Sequence, residues 1–225
     1  GGLSLASANG AKAGNVAVSV AGEAGLSVSG GLSLTSTAIG AIQTDPMNGD
    51  ALLPDTVGDD AVAGNVSLTV TNGSVFASST SLLSDATSGV GALSTGSATS
   101  GSAAIQVSAP VGSTSNSVSF GDVTISSTAS HGFFSGQQAI SGGNATSGDV
   151  SFSVSGGAYA SRSLSLHSDA ITYSGSDQSP LDATAGAVSV SFSGIPTRFQ
   201  TGSINASNYA SASDGGIASL GNVSL

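Results

Sequence analysis

The titratable side chains of this 225-residue chain are few, and their densest group is acidic. It lies in QTDPMNGDALLPDTVGDDAV, residues 43–62, and consists of Asp45, Asp50, Asp55, Asp59 and Asp60. Carboxylate oxygens on a flexible loop suit Ca²⁺. Their spacing, however, fits neither an EF-hand loop nor the Gly-Gly-x-Gly-x-Asp repeat. We predict solvated loop acids, keep these residues as candidate ligands of a structural calcium ion, and expect no other cofactor.

The histidines, His131 and His167, are candidates for acid–base chemistry. A Ser-His-Asp triad needs a serine and an aspartate positioned around the imidazole. With 48 serines in the chain, some serine is near any histidine by chance. Because no Gly-x-Ser-x-Gly turn followed by a helix can be placed, we predict that both histidines lie at the surface or at a sheet edge.

Sugar-cleaving enzymes depend on clustered carboxylates, and many add a basic residue to them. Arg162 could meet Asp122 or Asp149 on neighbouring strands, but the chain has only three basic residues in all. We therefore predict that the protein is not an enzyme. A carbohydrate-active enzyme is the least favoured alternative.

The aromatic residues are the best candidates for contacts with other molecules. Phe133 and Phe134 lie in HGFFSGQQ, outside the strand pattern, where they would either cap the core or dock a neighbour. Tyr173 and Tyr209 are further interaction candidates. The chain also has Asn-x-Ser/Thr triplets, which we interpret as corner residues because asparagine tolerates left-handed backbone conformations. These triplets begin at Asn65, Asn72, Asn144, Asn205 and Asn222.

A repeated strand pattern must position all of these side chains. The signature Gly-(Asn/Asp/Ala)-Val-x-Φ-x-Φ, with Φ apolar, begins at Gly14, Gly64, Gly148 and Gly186, with a degenerate copy at Gly101 and a partial one at Gly221. Apolar/polar alternation has the period of a β-strand with one buried face. Two further short alternating runs follow in each unit, and we predict glycine corners between them.

A longer, turn-rich excursion follows the third strand of each unit. We place these excursions at 39–63, 85–100, 130–147, 169–185 and 208–215. Because they leave each unit at the same point, stacked units would place them along one edge. The predicted fold is all-β, a right-handed parallel β-helix (β-solenoid) of about five to six rungs with lateral loop excursions, in a single domain over residues 1–225. An antiparallel β-sandwich is the main structural alternative.

Composition limits the function classes. Charged residues make up 7% of the chain, and the formal net charge is −10. Without a basic patch, binding to nucleic acid or to an anionic membrane is not expected. No apolar run approaches the roughly 20 residues that span a bilayer, so membrane insertion is not expected. The cysteine-free, hydroxyl-rich, acidic composition suits a secreted bacterial protein.

The Gly-Asn/Asp-Val starts, the Gly-Gly-Leu-Ser-Leu third strand and the Ser/Thr/Ala/Gly filler resemble the β-helical regions of large Gram-negative exoproteins. These are the filamentous-haemagglutinin-like proteins of two-partner secretion and the passenger domains of autotransporters. The resemblance implies an extracellular, cell-surface fibre segment used for surface attachment, aggregation or biofilm structure. Its partners would be other copies of itself and glycans or proteins of a host or environmental surface.

Neither end of the chain resembles a polar cap. Residues 1–10 match the third strand and exit of a unit, and residues 215–225 supply a first strand. An uncapped solenoid exposes strand edges at both ends. We therefore expect that the native chain continues past both ends or that copies stack end to end. In the second case the protein would be a self-assembling structural filament or a surface-layer subunit.

Overall fold

The structure is a computed structural model that describes residues 3–8, 11–45, 48–52, 55–110, 117–132, 142–173, 180–194, 198–213 and 215–225. Throughout these residues the regular elements are β-strands, and none is a helix. In chain order they are β1 (Leu3–Ala8), β2 (Val16–Ala21), β3 (Gly25–Ile39), β4 (Thr44–Asp45), β5 (Asn48–Leu52), β6 (Ala61–Val62), β7 (Val66–Thr71), β8 (Ser74–Thr87), β9 (Ala98–Thr99), β10 (Ala103–Ser108), β11 (Ser117–Ser130), β12 (Ala145–Thr146), β13 (Val150–Ser155), β14 (Ala158–Ser161), β15 (Ser163–Ile171), β16 (Ala183–Ala185), β17 (Val188–Ser193), β18 (Arg198–Thr201), β19 (Ile204–Ser211), β20 (Ala218–Leu220) and β21 (Val223–Ser224).

Three parallel sheets contain almost all of these strands. Sheet 1 has the order β2-β7-β10-β13-β17-β21, and sheet 3 has the order β6-β9-β12-β16-β20. Sheet 2 has the order β1-β3-β8-β11, followed by β14 and β15 side by side along β11 and then by β18 and β19. The small β4–β5 pair is antiparallel. Each repeat of the chain therefore adds one layer to each of the three parallel sheets.

The register of sheet 1 confirms the predicted repeat. The column of aligned residues is Val16, Val66, Ala103, Val150, Val188 and Val223. These are the positions that follow the signature glycines by two residues, and the degenerate copy at Gly101 falls in line with the others. The apolar alternation was sufficient to set the register because a slip of one residue would turn every valine outward.

The predicted glycine corner between the second and third strands is wrong in three repeats. There the two runs form one long strand, β3, β8 or β11. In β3 the register shifts by one residue between Val28 and Gly31, so the glycine pair forms a β-bulge instead of a turn. Of the two adjacent leucines in β8, Leu82 is fully buried in the core and Leu83 points to the opposite face.

The core has two parts. Val, Leu, Ile and a few aromatic side chains of sheets 1 and 2 form the larger one. A smaller core consists of alanine alone, in two columns contributed by the ends of the sheet 2 strands and by sheet 3. The first alanine column is Ala38, Ala86, Ala129, Ala170 and Ala210. These small side chains bury little apolar area, so most of the apolar burial is in the larger core.

Sheet 3 was not predicted, and the excursions are shorter than expected as a result. The strands of sheet 2 continue to Thr87, Ile171 and Ser211, beyond the predicted starts of the excursions at 85, 169 and 208. Four of the sheet 3 strands lie near the ends of the predicted excursions, and β20 follows the last of them. They are only two or three residues long and lack an alternation of large apolar side chains, so no periodic pattern marks them.

A buried column of serines lies between the two cores. Ser36, Ser84, Ser127 and Ser168 are aligned in sheet 2, and Asn208 ends the column. Each serine donates a hydrogen bond to the carbonyl of the signature glycine of its own repeat. Its oxygen also accepts the N–H of the signature glycine of the next repeat at 2.8–2.9 Å. One hydroxyl thus satisfies two backbone groups and joins consecutive repeats.

The signature glycines are required by their own stacking. A Cβ atom on Gly101 would lie 2.5 Å from the carbonyl carbon of Gly64, and one on Gly148 would lie 2.5 Å from that of Gly101. Real Cβ atoms do not approach backbone this closely. The glycine that begins each of these repeats therefore has a steric cause.

Candidate functional site

The outward side of sheet 2 carries an ordered array of polar side chains, which we call the hydroxyl face. Side chains alternate in and out along β3, β8, β11, β15 and β19, and the outward ones are mostly serine and threonine. Parallel strands place equivalent residues about 4.8 Å apart. The face consists of Ser33, Thr35, Thr37, Ser81, Asp85, Thr87, Thr124, Ser126, Thr128, Ser130, Ser165, His167, Asp169, Asn205, Ser207, Tyr209 and Ser211. Three apolar residues, Ile39, Leu83 and Ile171, lie in the same outward columns.

His167 lies at the centre of a small hydrogen-bonded group on this face. Its Nε2 atom is 2.7 Å from Ser165 Oγ and its Nδ1 atom is 2.9 Å from Ser207 Oγ. A triad would place a carboxylate on the second ring nitrogen, whereas here both nitrogens contact hydroxyls. His167 lies on the outward side of β15, in agreement with the predicted surface or sheet-edge position, and both of its ring nitrogens contact serine hydroxyls.

Two aspartates of the hydroxyl face have perturbed ionisation. Burial raises the pKa of the Asp85 carboxyl above its ordinary value. Burial also raises the pKa of Asp169, and the nearby His167 partly offsets this effect. Both carboxyls lie in one column, separated by Thr128. This column is the most acidic line across the face, and it ends at Tyr209, which is aligned with Asp169.

Arg162 pairs with Asp122 on the neighbouring strand of sheet 2. Its Nε donates to Asp122 Oδ1 at 2.9 Å, its second guanidinium nitrogen contacts the other carboxylate oxygen, and Ser163 Oγ donates to Oδ1 at 2.7 Å. These contacts lower the pKa of Asp122 to about 2. Of the two predicted partners of Arg162, Asp122 is therefore confirmed. Asp149 instead accepts the N–H of Ala187 in the next repeat.

The three tyrosines of the chain lie in different environments. Tyr173 and Tyr209 are 48% and 54% exposed, so both side chains are accessible to a partner. Tyr159, in contrast, is buried in the core against Phe120 and Phe152. The other two interaction candidates, Phe133 and Phe134, lie outside the described residues.

An exposed aromatic ring that was not predicted lies on the other half of sheet 2. Phe76 follows the inward Val75 and points outward, where the repeat otherwise has small residues. Ser27, Ser74 and Ser119 surround it in a shallow groove of about 310 Å³. A second groove of about 240 Å³ shares Ser117 and Ser119 and extends to Arg198. The sequence signal was an aromatic residue at an outward position of a strand.

The acidic loop does not form a metal site among the described residues, because no three His, Cys, Asp or Glu side chains there could hold a metal ion. Asp45 and Asp50 lie on β4 and β5. Asp55 has a left-handed backbone, and Asp60 Oδ1 accepts the N–H of Ser97 at 2.7 Å. The carbonyl of Asp59 accepts the N–H of Gly89. Calcium binding at this loop stays a prediction.

His131 is not at the surface, so that prediction is wrong. The side chain is 3% exposed, in an inward column with Ser88 and Thr172. Within the described part of the chain neither ring nitrogen has a hydrogen-bond partner. Burial lowers the pKa of His131, and the nearby Gly143 backbone opposes this effect to a smaller extent. His131 directly follows β11 and shares an inward column with Ser88 and Thr172. Its imidazole is therefore enclosed by the stack.

The asparagines serve the corners in two ways. Asn72 has the expected left-handed backbone, with a φ of 54°. Asn65 instead uses its side chain, whose Oδ1 accepts the N–H of Ser102 in the next repeat at 2.8 Å. In the same way, Asn15 Oδ1 accepts the N–H of Asn65 at 2.8 Å. Asparagine and aspartate at this position therefore connect consecutive repeats of sheet 1.

Comparisons with known proteins identify no relative. No family model matches the chain, and neither a curated protein nor a solved structure matches it. The described residues also contain no helix that is long and apolar enough to cross a membrane.

Proposed function

We propose that sheets 1, 2 and 3 are the three faces of a right-handed parallel β-helix, and that this β-helix is a segment of a structural fibre. The observation that carries the proposal is the unbroken register of sheet 1 from Val16 to Val223. The chain visits the three sheets in the same order in every repeat, with hydrogen bonds between successive repeats throughout. Such a stack resists bending and stretching along its length because every layer is bonded to two others.

The outer surface favours a role in contact with surroundings. An array of aligned hydroxyls with an exposed tyrosine and a nearby aromatic groove offers hydrogen bonds and ring faces, the groups that bind sugars and polar protein surfaces. We propose that the hydroxyl face and the lateral loops attach the fibre to glycans or proteins, and that this takes place outside the cell. The resemblance to Gram-negative exoproteins and the acidic, cysteine-free composition support that location.

A bead-adhesion assay tests the attachment role. Beads coated with the protein are allowed to settle on immobilised polysaccharides and on extracellular-matrix proteins, and retention under flow is counted. The double variant Phe76→Ser with Tyr209→Ser should lose retention several-fold. Ser189→Ala on sheet 1 is the matched control and should retain it. Equal retention of all three proteins would contradict attachment through sheet 2.

A further inference from the structure

The two grooves on the outward side of sheet 2 join into one, which we call the long groove. Both are lined by Ser117 and Ser119 of β11, and together they cross β3, β8, β11, β14 and β18. The long groove therefore runs along the stacking direction, across the strands. Phe76 lies towards one end and Arg198 towards the other, three strand spacings or about 14 Å away.

Two outward columns of side chains border the long groove, one containing Phe76 and the other containing Arg198. Val75 and Tyr159 lie between these columns and line the floor, although each residue is only 1% exposed, so the floor is formed by their backbone. The N–H and C=O groups of these strands are already paired within sheet 2. An extended peptide would find no strand edge here, and a ligand must be bound by side chains.

The side chains along the long groove combine a ring face with hydroxyls. Phe76 is 52% exposed, and the serines beside it are Ser27, Ser74, Ser117 and Ser119. A pyranose ring has the matching surfaces, because its C–H groups form an apolar face and its hydroxyls lie around the rim. An aromatic ring that packs on the sugar and a few hydroxyls that orient it are the contacts that such a ligand needs.

Arg198 supplies the charge of the long groove. Its guanidinium donates to Gln200 Oε1 at 3.0 Å, and among the described residues no carboxylate binds it, whereas Arg162 is paired with Asp122. No acidic residue in the described part of the chain lines either groove. A guanidinium offers two parallel N–H groups to a carboxylate. The Arg198 end of the groove is therefore complementary to a single carboxylate.

The charge of the whole chain limits how acidic the ligand can be. The formal net charge is −10, with three basic residues in all. A polymer with a negative charge on every unit would be repelled by this field. An isolated carboxylate that contacts Arg198 would be attracted locally. The charge pattern therefore favours a glycan in which neutral sugars separate the acidic ones.

We propose that the long groove binds a glycan chain whose carboxylate-bearing sugars are separated by neutral sugars. The glycan lies along the stacking direction, with Phe76 packed on the apolar face of a neutral sugar and Arg198 bound to a carboxylate. The serine hydroxyls along the groove bind the sugar hydroxyls. The proposal rests on the attachment role proposed above and names the class of ligand and its site.

Isothermal titration calorimetry with two such glycans, fragments of hyaluronan and of glucuronoxylan, tests the site. Arg198→Gln should weaken binding of at least one of them about tenfold, because it removes a charge-assisted hydrogen bond. Lys12→Gln is the matched control: it removes the same charge on sheet 3 and should leave the affinity unchanged. Phe76→Ser should also lose affinity, whereas Phe76→Tyr keeps the ring and should bind as the wild type does. Circular dichroism checks that all variants fold.

The same glycans with their carboxyl groups reduced to alcohols identify the partner of Arg198. They should bind the wild type more weakly than the intact glycans do, and Arg198→Gln should cause no further loss. Equal affinities of Lys12→Gln and Arg198→Gln for the intact glycans would overturn the role of Arg198. Tighter binding of polygalacturonate or of poly-glutamate would overturn the ligand class, as would a wild type that binds neither test glycan.

This failure can be distinguished from a failure of the attachment role. If neither glycan binds, but coated beads are retained under flow and the Phe76→Ser, Tyr209→Ser double variant is not, attachment through sheet 2 stands and only the ligand class is wrong. Equal retention of the wild type, the double variant and Ser189→Ala would instead contradict attachment through sheet 2 itself.

Discussion

The hydroxyl of Ser127 lies 2.8 Å from the backbone nitrogen of Gly148 and accepts its N–H, while donating its own proton to the carbonyl of Gly101. A single side chain therefore satisfies the corner glycines of two repeats. The serine is fully buried, so water cannot replace it.

Replacing this serine tests how much the buried column stabilises the stack. Ser127→Ala should lower the free energy of unfolding by about 2–3 kcal/mol, because it leaves a buried N–H and a buried carbonyl unpaired. Ser126→Ala removes an adjacent hydroxyl on the outer face and should change stability by less than about 0.5 kcal/mol. Chemical denaturation of both variants measures the difference, and similar effects would contradict the role of the column.

The glycine stack makes a steric prediction. Gly101→Ala should destabilise the protein by about 3 kcal/mol, since the new methyl group meets the backbone of Gly64. Gly25→Ala is the matched control: a Cβ there meets nothing within 4 Å, and the exchange should be neutral or slightly stabilising. Thermal unfolding distinguishes the two, and a stable Gly101→Ala protein would show that the repeats are not as close as described.

The buried hydroxyl of Tyr159 makes no hydrogen bond of ordinary distance and angle in the described part of the chain. Burial raises the pKa of this phenol to about 12, and the nearby Ser161 hydroxyl opposes this effect to a smaller extent. Tyr159→Phe removes the unpaired oxygen and keeps the ring contacts with Phe120 and Phe152. We expect the variant to gain about 1 kcal/mol in unfolding free energy. Tyr209→Phe, at an exposed position, should have no effect. A loss of stability in Tyr159→Phe would reveal a partner for the hydroxyl.

His131 should make stability depend on pH. Burial lowers its pKa in the folded protein, so as the pH falls below about 6.5 only the unfolded chain takes up this proton. Stability should therefore decrease as the pH falls from about 7 to 5, and it should level off below the pKa of the folded state. Denaturation of His131→Leu across this range should show a smaller decrease.

Ser189→Ala, which changes no titratable group, is the control for that measurement and should keep the pH dependence of the wild type. An unchanged decrease in His131→Leu would assign the effect to another group. Ser88 and Thr172, the neighbours of His131 in its column, do not titrate in this range, which simplifies the interpretation.

The repeat was predictable where large apolar side chains alternate. Val66, Leu68 and Val70 define a buried face, and a copy as degenerate as Ala103 to Val107 could be aligned because its spacing from the signature glycine is the same. Sheet 3 could not be found by alternation because Ala98 and Thr99 make too short a strand. A signal is nevertheless present: Ala-x-x-Gly precedes all six first strands, as AKAG, AVAG, ATSG, ATSG, ATAG and ASLG, in which the final residues are Gly14, Gly64, Gly101, Gly148, Gly186 and Gly221.

The polar interior was harder to predict. Ser84 and Ser127 are buried, whereas many other serines of the chain are not. In the sequence, the one feature that distinguishes these two serines is an alanine two residues later. The position of His131 was predicted wrongly because the histidine was considered alone. An alignment of the repeats would have placed it in line with Ser88 and Thr172, which are also buried. Phe76 is an apolar residue on the surface, in contrast to these buried polar residues. Its outward position in the strand marks a surface groove.

The side-chain acceptors also favour one order of folding along the chain. Asn65 Oδ1 and Ser84 Oγ both accept backbone N–H groups from the repeat that follows them in the chain. A repeat that is already folded therefore presents a template to the segment that is synthesised next. Folding can advance from the N-terminus to the C-terminus as the chain emerges, and truncation from the C-terminal side should leave the earlier repeats intact.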